Sequence, residues 1–355
     1  MGGLRMVRLI WALLALAWIS ASPAMAAEHL FGDEAPLRIT ITAPFPTLVA
    51  RAKYTLNPFP ATLALTDQAG AAQTFPIQVR ARGISRRKVY CAFPPLLLEF
   101  DKTATHGTLL HGQKKLKLVT YCRPAPDYEQ RVVLEYLVYK LYNLITPVSL
   151  RVRAAEVTYR SSATDPGVTR FGYLIEDIHG VADRNQRQEL EAASHQVSLA
   201  QLDARATTRA AILQYMIANL DWEFLASAPG EKCCHNIRLL AAPGATPATA
   251  RDVTPVPYDF DFSGFVDSPY AGPAPGIPIE KVTERYFRGF CALSGEIPAV
   301  AQEYLARRAD MKALIDNQPQ LNATFRGKTD RFMDGFFEVL NDPGRMQSQL
   351  IRHCR

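Results

Sequence analysis

Tyr258-Asp259-Phe260-Asp261-Phe262-Ser263-Gly264 is the stretch on which the reading of this chain turns, and Val256 and Pro257 lead into it. Side chains along a strand alternate between faces. The pattern therefore predicts a strand with Tyr258, Phe260 and Phe262 on one face and Asp259, Asp261 and Ser263 on the other. The aromatic face suits a core. The opposite face then carries two carboxylates roughly 7 Å apart by strand geometry. Charged groups are seldom buried unless paired or metal-bound. The stretch thus reads either as a metal or acid–base site, or as a half-exposed strand with a solvated face and a glycine turn.

Working outward, the chain opens with an export leader. Arg5 and Arg8 precede an apolar run from Leu9 to Ile19, and Ala24-Met25-Ala26 has the small-x-small form of a cleavage site. This predicts a signal peptide over 1–26 and a periplasmic or secreted mature protein; an uncleaved anchor is the competing reading. The run is short for a membrane span, and no later stretch is apolar enough, so no stable membrane insertion is expected after cleavage. Without the two leader arginines the formal charge falls from +6 to +4. That mild excess, with no long charge run, suits an anionic ligand and makes no case for nucleic acid.

The six cysteines, Cys91, Cys122, Cys233, Cys234, Cys291 and Cys354, all follow the leader. An even count in an exported chain predicts disulfides. Cys91 and Cys122 share the N-terminal region and are expected to pair. Sequence neighbours seldom bond to each other, so Cys233 and Cys234 are expected to reach Cys291 and Cys354. The spacings match no usual zinc pattern.

Taken in order, residues 37–42, 61–66, 75–82, Leu96 to Phe100 and Lys114 to Thr120 read as strands punctuated by Pro and Gly. Residues 75–82 run into a basic, glycine-containing loop, Arg82-Gly83-Ile84-Ser85-Arg86-Arg87-Lys88. Apolar residues from Asp127 to Ile145 recur at helical spacing, with Asp127 as N-cap and Pro147 beyond the end. Residues 148–159 and 170–176 return to strand character around a hairpin loop, Ser161–Gly167. The best later helix runs from Asp203 to Leu220. Ile237 to Leu240 is a short strand, 241–255 a surface loop, and helices are expected near 279–289, 297–316 and 324–340.

Several of these segments, in this order, resemble the CotH-like family of secreted, atypical protein kinases. They are Arg82-Gly83-Ile84-Ser85, Lys114-Lys115-Leu116-Lys117-Leu118, Gly172-Tyr173-Leu174-Ile175-Glu176, Asn219-Leu220-Asp221, Asn236 and Tyr258-Asp259-Phe260-Asp261. The resemblance covers roughly residues 75–265. It implies an α+β, two-lobed, protein-kinase-like fold: a β-rich N-terminal lobe over 27–178 with one long helix, and a mainly helical lobe over 179–355, with nucleotide between them. It further implies that Arg82, Gly83, Arg86, Arg87 and Lys88 form a loop over the phosphates. Lys117 would reach the phosphates, with Lys115 as runner-up, and Glu135 would pair with that lysine. Glu176 to Ile178 would lie beside the adenine. Asp221 would be the catalytic acid, and Asn236, Asp259 and Asp261 would hold the metal. Phosphoryl transfer from ATP needs such a lysine, one or two Mg²⁺ or Mn²⁺ ions on Asp and Asn oxygens, and an Asp to orient the nucleophile. Asp221 and Asn236 stand further apart than in the family's short catalytic loop, and the insert carries Cys233 and Cys234.

From the residues alone the bland alternatives stay open. A Lys/Leu strand can have one solvated face, Glu135 has Arg131 at helical spacing, Asp221 can simply end a helix, and His235 reads as a loop residue. Three functions follow. One is a phosphotransferase acting on an exported protein or small molecule. The second is an inactive binding or scaffold protein, favoured because an exported protein meets little ATP. The third is a metal-assisted hydrolase or glycosidase using Asp259 and Asp261, although two acids on one strand sit too side by side for glycoside chemistry.

Overall fold

A computed structural model describes residues 30–66, 72–228 and 231–355; the expected signal peptide lies outside the described residues. Seven strands form a closed barrel: β1 (Leu37–Thr42), β2 (Phe59–Thr66), β3 (Ala72–Ala81), β4 (Leu96–Phe100), β5 (Lys115–Val119), β6 (Val152–Arg160) and β7 (Val168–Ile175). Their order around the barrel is β1-β2-β3-β4-β5-β7-β6. Closure comes from β1, which pairs antiparallel with β2 and parallel with β6, Ile39 lying opposite both Leu65 and Val157. Alternate residues fill the interior, among them Ile39, Ile41, Leu63, Val79, Leu98 and Leu118, as the period of two requires. A short helix, α1 (Phe45–Arg51), plugs one end, with Phe45 packed on Phe93 and Tyr159 at ring separations of 5.3 and 5.7 Å.

This closed barrel overturns the two-lobed, protein-kinase-like expectation. The individual strands fall where the sequence pattern puts them, but the sheet has no open edge. Nor does the long helix α2 (Pro126–Asn143) belong to the barrel's own core. It is buried on nearly all sides, from Val132 to Tyr139, within one continuous core that includes the C-terminal helices. Strands β6 and β7 join the two cores. Val157 and Leu174 face the barrel interior, while Val152, Tyr173 and Ile175 face α2 and the helices beyond.

After the barrel come α3 (Ile178–Arg184) and α4 (Ala204–Met216), then α5 (Ile297–Ala306), α6 (Arg308–Asp316), α7 (Ala323–Asn341) and α8 (Pro343–Met346). Asp203 caps α4 by accepting from Ala206 N at 2.6 Å, and Asn322 caps α7 by accepting from Phe325 N at 3.0 Å, each satisfying a first-turn N–H. Small pairings hold the loops between: β8 (Gln188–Glu189) with β11 (Ile237–Ala241) and β12 (Thr254–Pro257), and β9 (Ala192–Ala193) with β10 (Lys232–Cys233).

Other expectations are corrected here. The helix expected over 297–316 breaks at Arg307 into two. Residues 279–289 form an irregular strap instead of a helix. Its Arg285 donates to Met216 O and Phe332 O, and its Arg288 donates to Leu220 O and Trp222 O. The bonds to Met216, Leu220 and Trp222 satisfy carbonyls at and just beyond the end of α4, a use of the side chains that does not require the strap to be helical. The Cys91–Cys122 pairing agrees with expectation, whereas Cys233 bonds Cys234 and Cys291 bonds Cys354. The reason lies in the C-terminus, which returns along the strap through Cys291 N to Arg355 O and Arg355 N to Gly289 O at 3.0 and 2.9 Å. That register brings Cys354 to Cys291 and leaves neither for the adjacent pair.

Candidate functional site

The stretch Tyr258–Gly264 is not a strand. β12 ends at Pro257, and Asp259 lies at φ +61°, a conformation in which side chains no longer alternate. Tyr258 N still donates to Asn236 O at 3.0 Å, but Asp259 N donates to the Tyr139 hydroxyl of α2, also at 3.0 Å. Gly264 then donates to Ala218 O, and a Cβ there would come within 2.4 Å of Val282 O. The two acids are therefore set by a turn clamped between α2, the end of α4 and the strap.

The turn brings Asp259 and Asp261 together with Glu135 of α2, with one carboxylate oxygen of each lying within 4.8 Å of the others. Arg86 enters this cluster from the basic loop. Its Nε donates to Asp261 Oδ2 at 2.8 Å and its Nη2 to Glu135 Oε1 at 2.6 Å. The expected Lys117–Glu135 pair is thus replaced by Arg86–Glu135. The loop folds into a wide helical turn, Arg86–Tyr90, which turns Arg86 inward. Tyr270 donates to the same Asp261 oxygen at 2.9 Å and stacks on Tyr90 at 4.5 Å, closing a rim that also includes Phe262. Burial raises the Asp259 carboxyl, and Asp261 adds to that, while Arg86 and Arg82 oppose it. Burial also raises Glu135, to about 7, against the pull of Arg86.

Lys117 comes from β5, beside Asp259. Among the described residues it has no ion-pair partner within bonding distance; its ammonium lies 5.9 Å from the centre of the Tyr258 ring. Burial lowers its pKa to about 8. Arg82 and Arg238 push the same way, and Asp177 and Asp259 partly oppose them. Arg238 is itself paired with Glu189 at 3.4 Å, so Lys117 and Arg82 are the cations that offer this place to an anion. Arg238 also lies over Tyr258, at 5.5 Å.

On the other side of Asp259, Asp221 follows α4. His235 Nε2 lies 2.7 Å from its Oδ1, and Asn236 Nδ2 donates to its Oδ2 at 3.0 Å and to its backbone carbonyl at 2.7 Å. The long spacing between Asp221 and Asn236 is thus folded back on itself, with Asn236 at φ +54°. Asn236 commits its Nδ2 to Asp221, which leaves Oδ1 as the atom able to serve a cation. The hydrogen bond to Asp221 raises the pKa of His235.

The remaining expected residues lie elsewhere or serve the scaffold. Gly83, at φ +79°, is the exposed hinge of the basic loop. Arg87 turns away from the site, donating to Gly83 O at 2.9 Å and to Ala52 O. Lys88 is exposed, and Lys115 is an exposed partner of Glu99 at 3.5 Å. Glu176 is buried but spends its carboxylate on Arg184 and on Arg151 N, at 3.1 and 2.9 Å. The structure therefore gathers Arg82, Lys117, Glu135, Asp221, Asn236, Asp259 and Asp261, and leaves Arg87, Lys88 and the Glu176 side chain outside. The sequence reading missed Tyr139, Arg238 and His235. Only His235 carried a signal, its place next to Asn236. No family model matches the chain, and no curated protein matches it in sequence.

Proposed function

We propose that the protein is a metal-dependent phosphotransferase that moves a phosphoryl group from ATP to a hydroxyl of an exported protein or small molecule. The observation that carries this reading is the gathering of three unlike parts in one place: a desolvated Lys117 with no ion-pair partner among the described residues, a cluster of three carboxylates, and an Asp221 held by two donors. Resemblance to the CotH-like family over roughly residues 75–265, whose segments include Lys117, Asp221, Asp259 and Asp261, agrees with it. Three disulfides suit an oxidising compartment, and export would follow from the leader. Among the described residues no helix is long and apolar enough to cross a membrane.

In this reading Lys117 and Arg82 bind the phosphates. Asp259, Asp261 and Asn236 supply hard oxygen ligands of the kind Mg²⁺ and Mn²⁺ prefer. The bound ion would neutralise charge on the transferring phosphoryl group. Asp221 orients the acceptor hydroxyl and takes its proton, its two oxygens fixed by His235 and Asn236. A cavity of about 420 Å³ opens beside Asp221, lined also by Phe262, Pro273, Ile277 and Arg288, and would receive the acceptor.

One observation favours a second reading. Arg86 already neutralises Glu135 and Asp261, which suits a protein that binds nucleotide without transferring its phosphate. Calorimetry with ATP, with and without Mn²⁺, combined with turnover of labelled ATP by wild type, Lys117→Met and Asp221→Asn, separates the two. Transfer predicts metal-dependent binding lost in Lys117→Met, and turnover reduced about 10²-fold or more in Asp221→Asn with binding kept. Binding with no turnover supports the second reading. Absence of binding in the wild type sinks both.

A further inference from the structure

Among the described residues five large apolar side chains are exposed, and four of them, Tyr54, Leu56, Ile84 and Val89, lie on two segments at one edge of the barrel. Isolated exposed apolar residues need no explanation, but a cluster does. The two segments touch: Arg87 donates to Ala52 O, and Val89, Lys53 and Arg123 line one shallow pocket. In the wide turn that buries Arg86 against the acidic cluster and Arg87 against Ala52, Ile84, Lys88 and Val89 are left exposed. Exposures of 63% for Ile84 and 86% for Tyr54 make these projecting tips, and Val89, at 66%, stands at the lip of that shallow pocket.

The exposed charged side chains of these two segments are all basic, and Asp127 is the first exposed acid along the chain from Arg123. Lys53, Lys88 and Arg123 are exposed, and none makes an ion pair among the described residues. Arg123 donates to Tyr90 O and lies over the Tyr128 ring. No acidic residue occurs from Ala43 to Thr66, from Ala72 to Leu98, or from Thr120 to Pro126. Projecting aliphatic and tyrosyl tips within a mainly basic rim match a lipid surface that is apolar beneath and anionic above.

We infer that this edge is a peripheral docking surface for an anionic membrane, which would hold the mature protein against a leaflet without a spanning segment. The inference is independent of the phosphotransfer reading, since none of these side chains lies among the gathered site residues.

The test is co-sedimentation of the mature protein with vesicles of phosphatidylglycerol in phosphatidylcholine, against pure phosphatidylcholine. Binding is expected to the anionic vesicles alone, and to weaken as salt screens the surface charge. Lys53→Gln with Lys88→Gln should weaken it about 25-fold, at about five-fold per charge. Ile84→Ser with Val89→Ser should weaken it about ten-fold or more. All four side chains are exposed, so circular dichroism should show the fold unchanged. No binding to anionic vesicles, equal binding to both kinds, or binding indifferent to both variants overturns the inference and leaves an acidic protein as the partner such a patch would fit.

Discussion

Replacing Arg86 by Met keeps most of the side chain's bulk and removes its charge. In the wild type the guanidinium is bonded to Asp261 at 2.8 Å and Glu135 at 2.6 Å, and all three residues are buried. Removing one partner of a buried pair leaves uncompensated charge and costs about 3–5 kcal/mol, a large share of a typical stability of about 5–15 kcal/mol. The cost should depend on pH. Glu135 has a folded value of about 7 against 4.5 for a free carboxyl, so the fold prefers its protonated form. Its contribution to stability is complete below about 4.5 and is lost as pH rises through about 7. Arg86 opposes that rise, so Arg86→Met should push Glu135 higher still, and the penalty should be smaller at pH 5.5 than at pH 8. Urea denaturation at both values, in the presence of chelator, measures this as a fall in midpoint at constant slope. Excess Mg²⁺ should then restore part of the loss at pH 8 and do less for the wild type. A loss under about 1 kcal/mol at pH 8, or one that does not grow with pH, would refute the claim that Arg86 neutralises a buried carboxylate cluster.

Lys117→Met should abolish nucleotide binding yet stabilise the protein without ligand by roughly 1–3 kcal/mol at neutral pH. With a folded value of about 8 against 10.5, the wild type gains stability as pH rises between those values; a pH series of melting curves should show that rise and its absence in the variant. Removing the Cys291–Cys354 bond, which spans 63 residues, should cost about 4 kcal/mol by loop closure, read from denaturant midpoints. Digestion without reduction should yield a Cys233–Cys234 peptide lighter by two hydrogens than its reduced form, and a separate Cys291–Cys354 cross-linked pair. His235→Ala should lower turnover while leaving the KM for ATP unchanged, and His235→Gln, which can still donate to Asp221, should recover part of it.

The elements of the barrel were legible because strand and helix periods are local. Alternation over 37–42, 61–66 and 75–82, and helical spacing over 127–145, needed no knowledge of distant chain. Local period placed Lys117 on an alternating strand and Asp221 after a well-marked helix, but only the resemblance to a family pointed to them as site residues. Their partners were not legible. Arg86 lies 49 residues from Glu135 and 175 from Asp261, and nothing local distinguishes it from Arg87, which the same turn sends the other way.

The opening stretch shows where the division falls. Its composition alone established two acids among aromatic residues, ahead of a glycine. That they would meet followed from tertiary structure, because a bond from Asp259 N to Tyr139 and the close approach of Gly264 to the strap replace strand alternation with a turn. The fold divides in the same way. Each strand was written in its own residues, whereas closure of the sheet depends on β1 meeting β6 across more than a hundred residues. No local period records such a pairing, because its free energy is realised only when both edges and the core they enclose are present together.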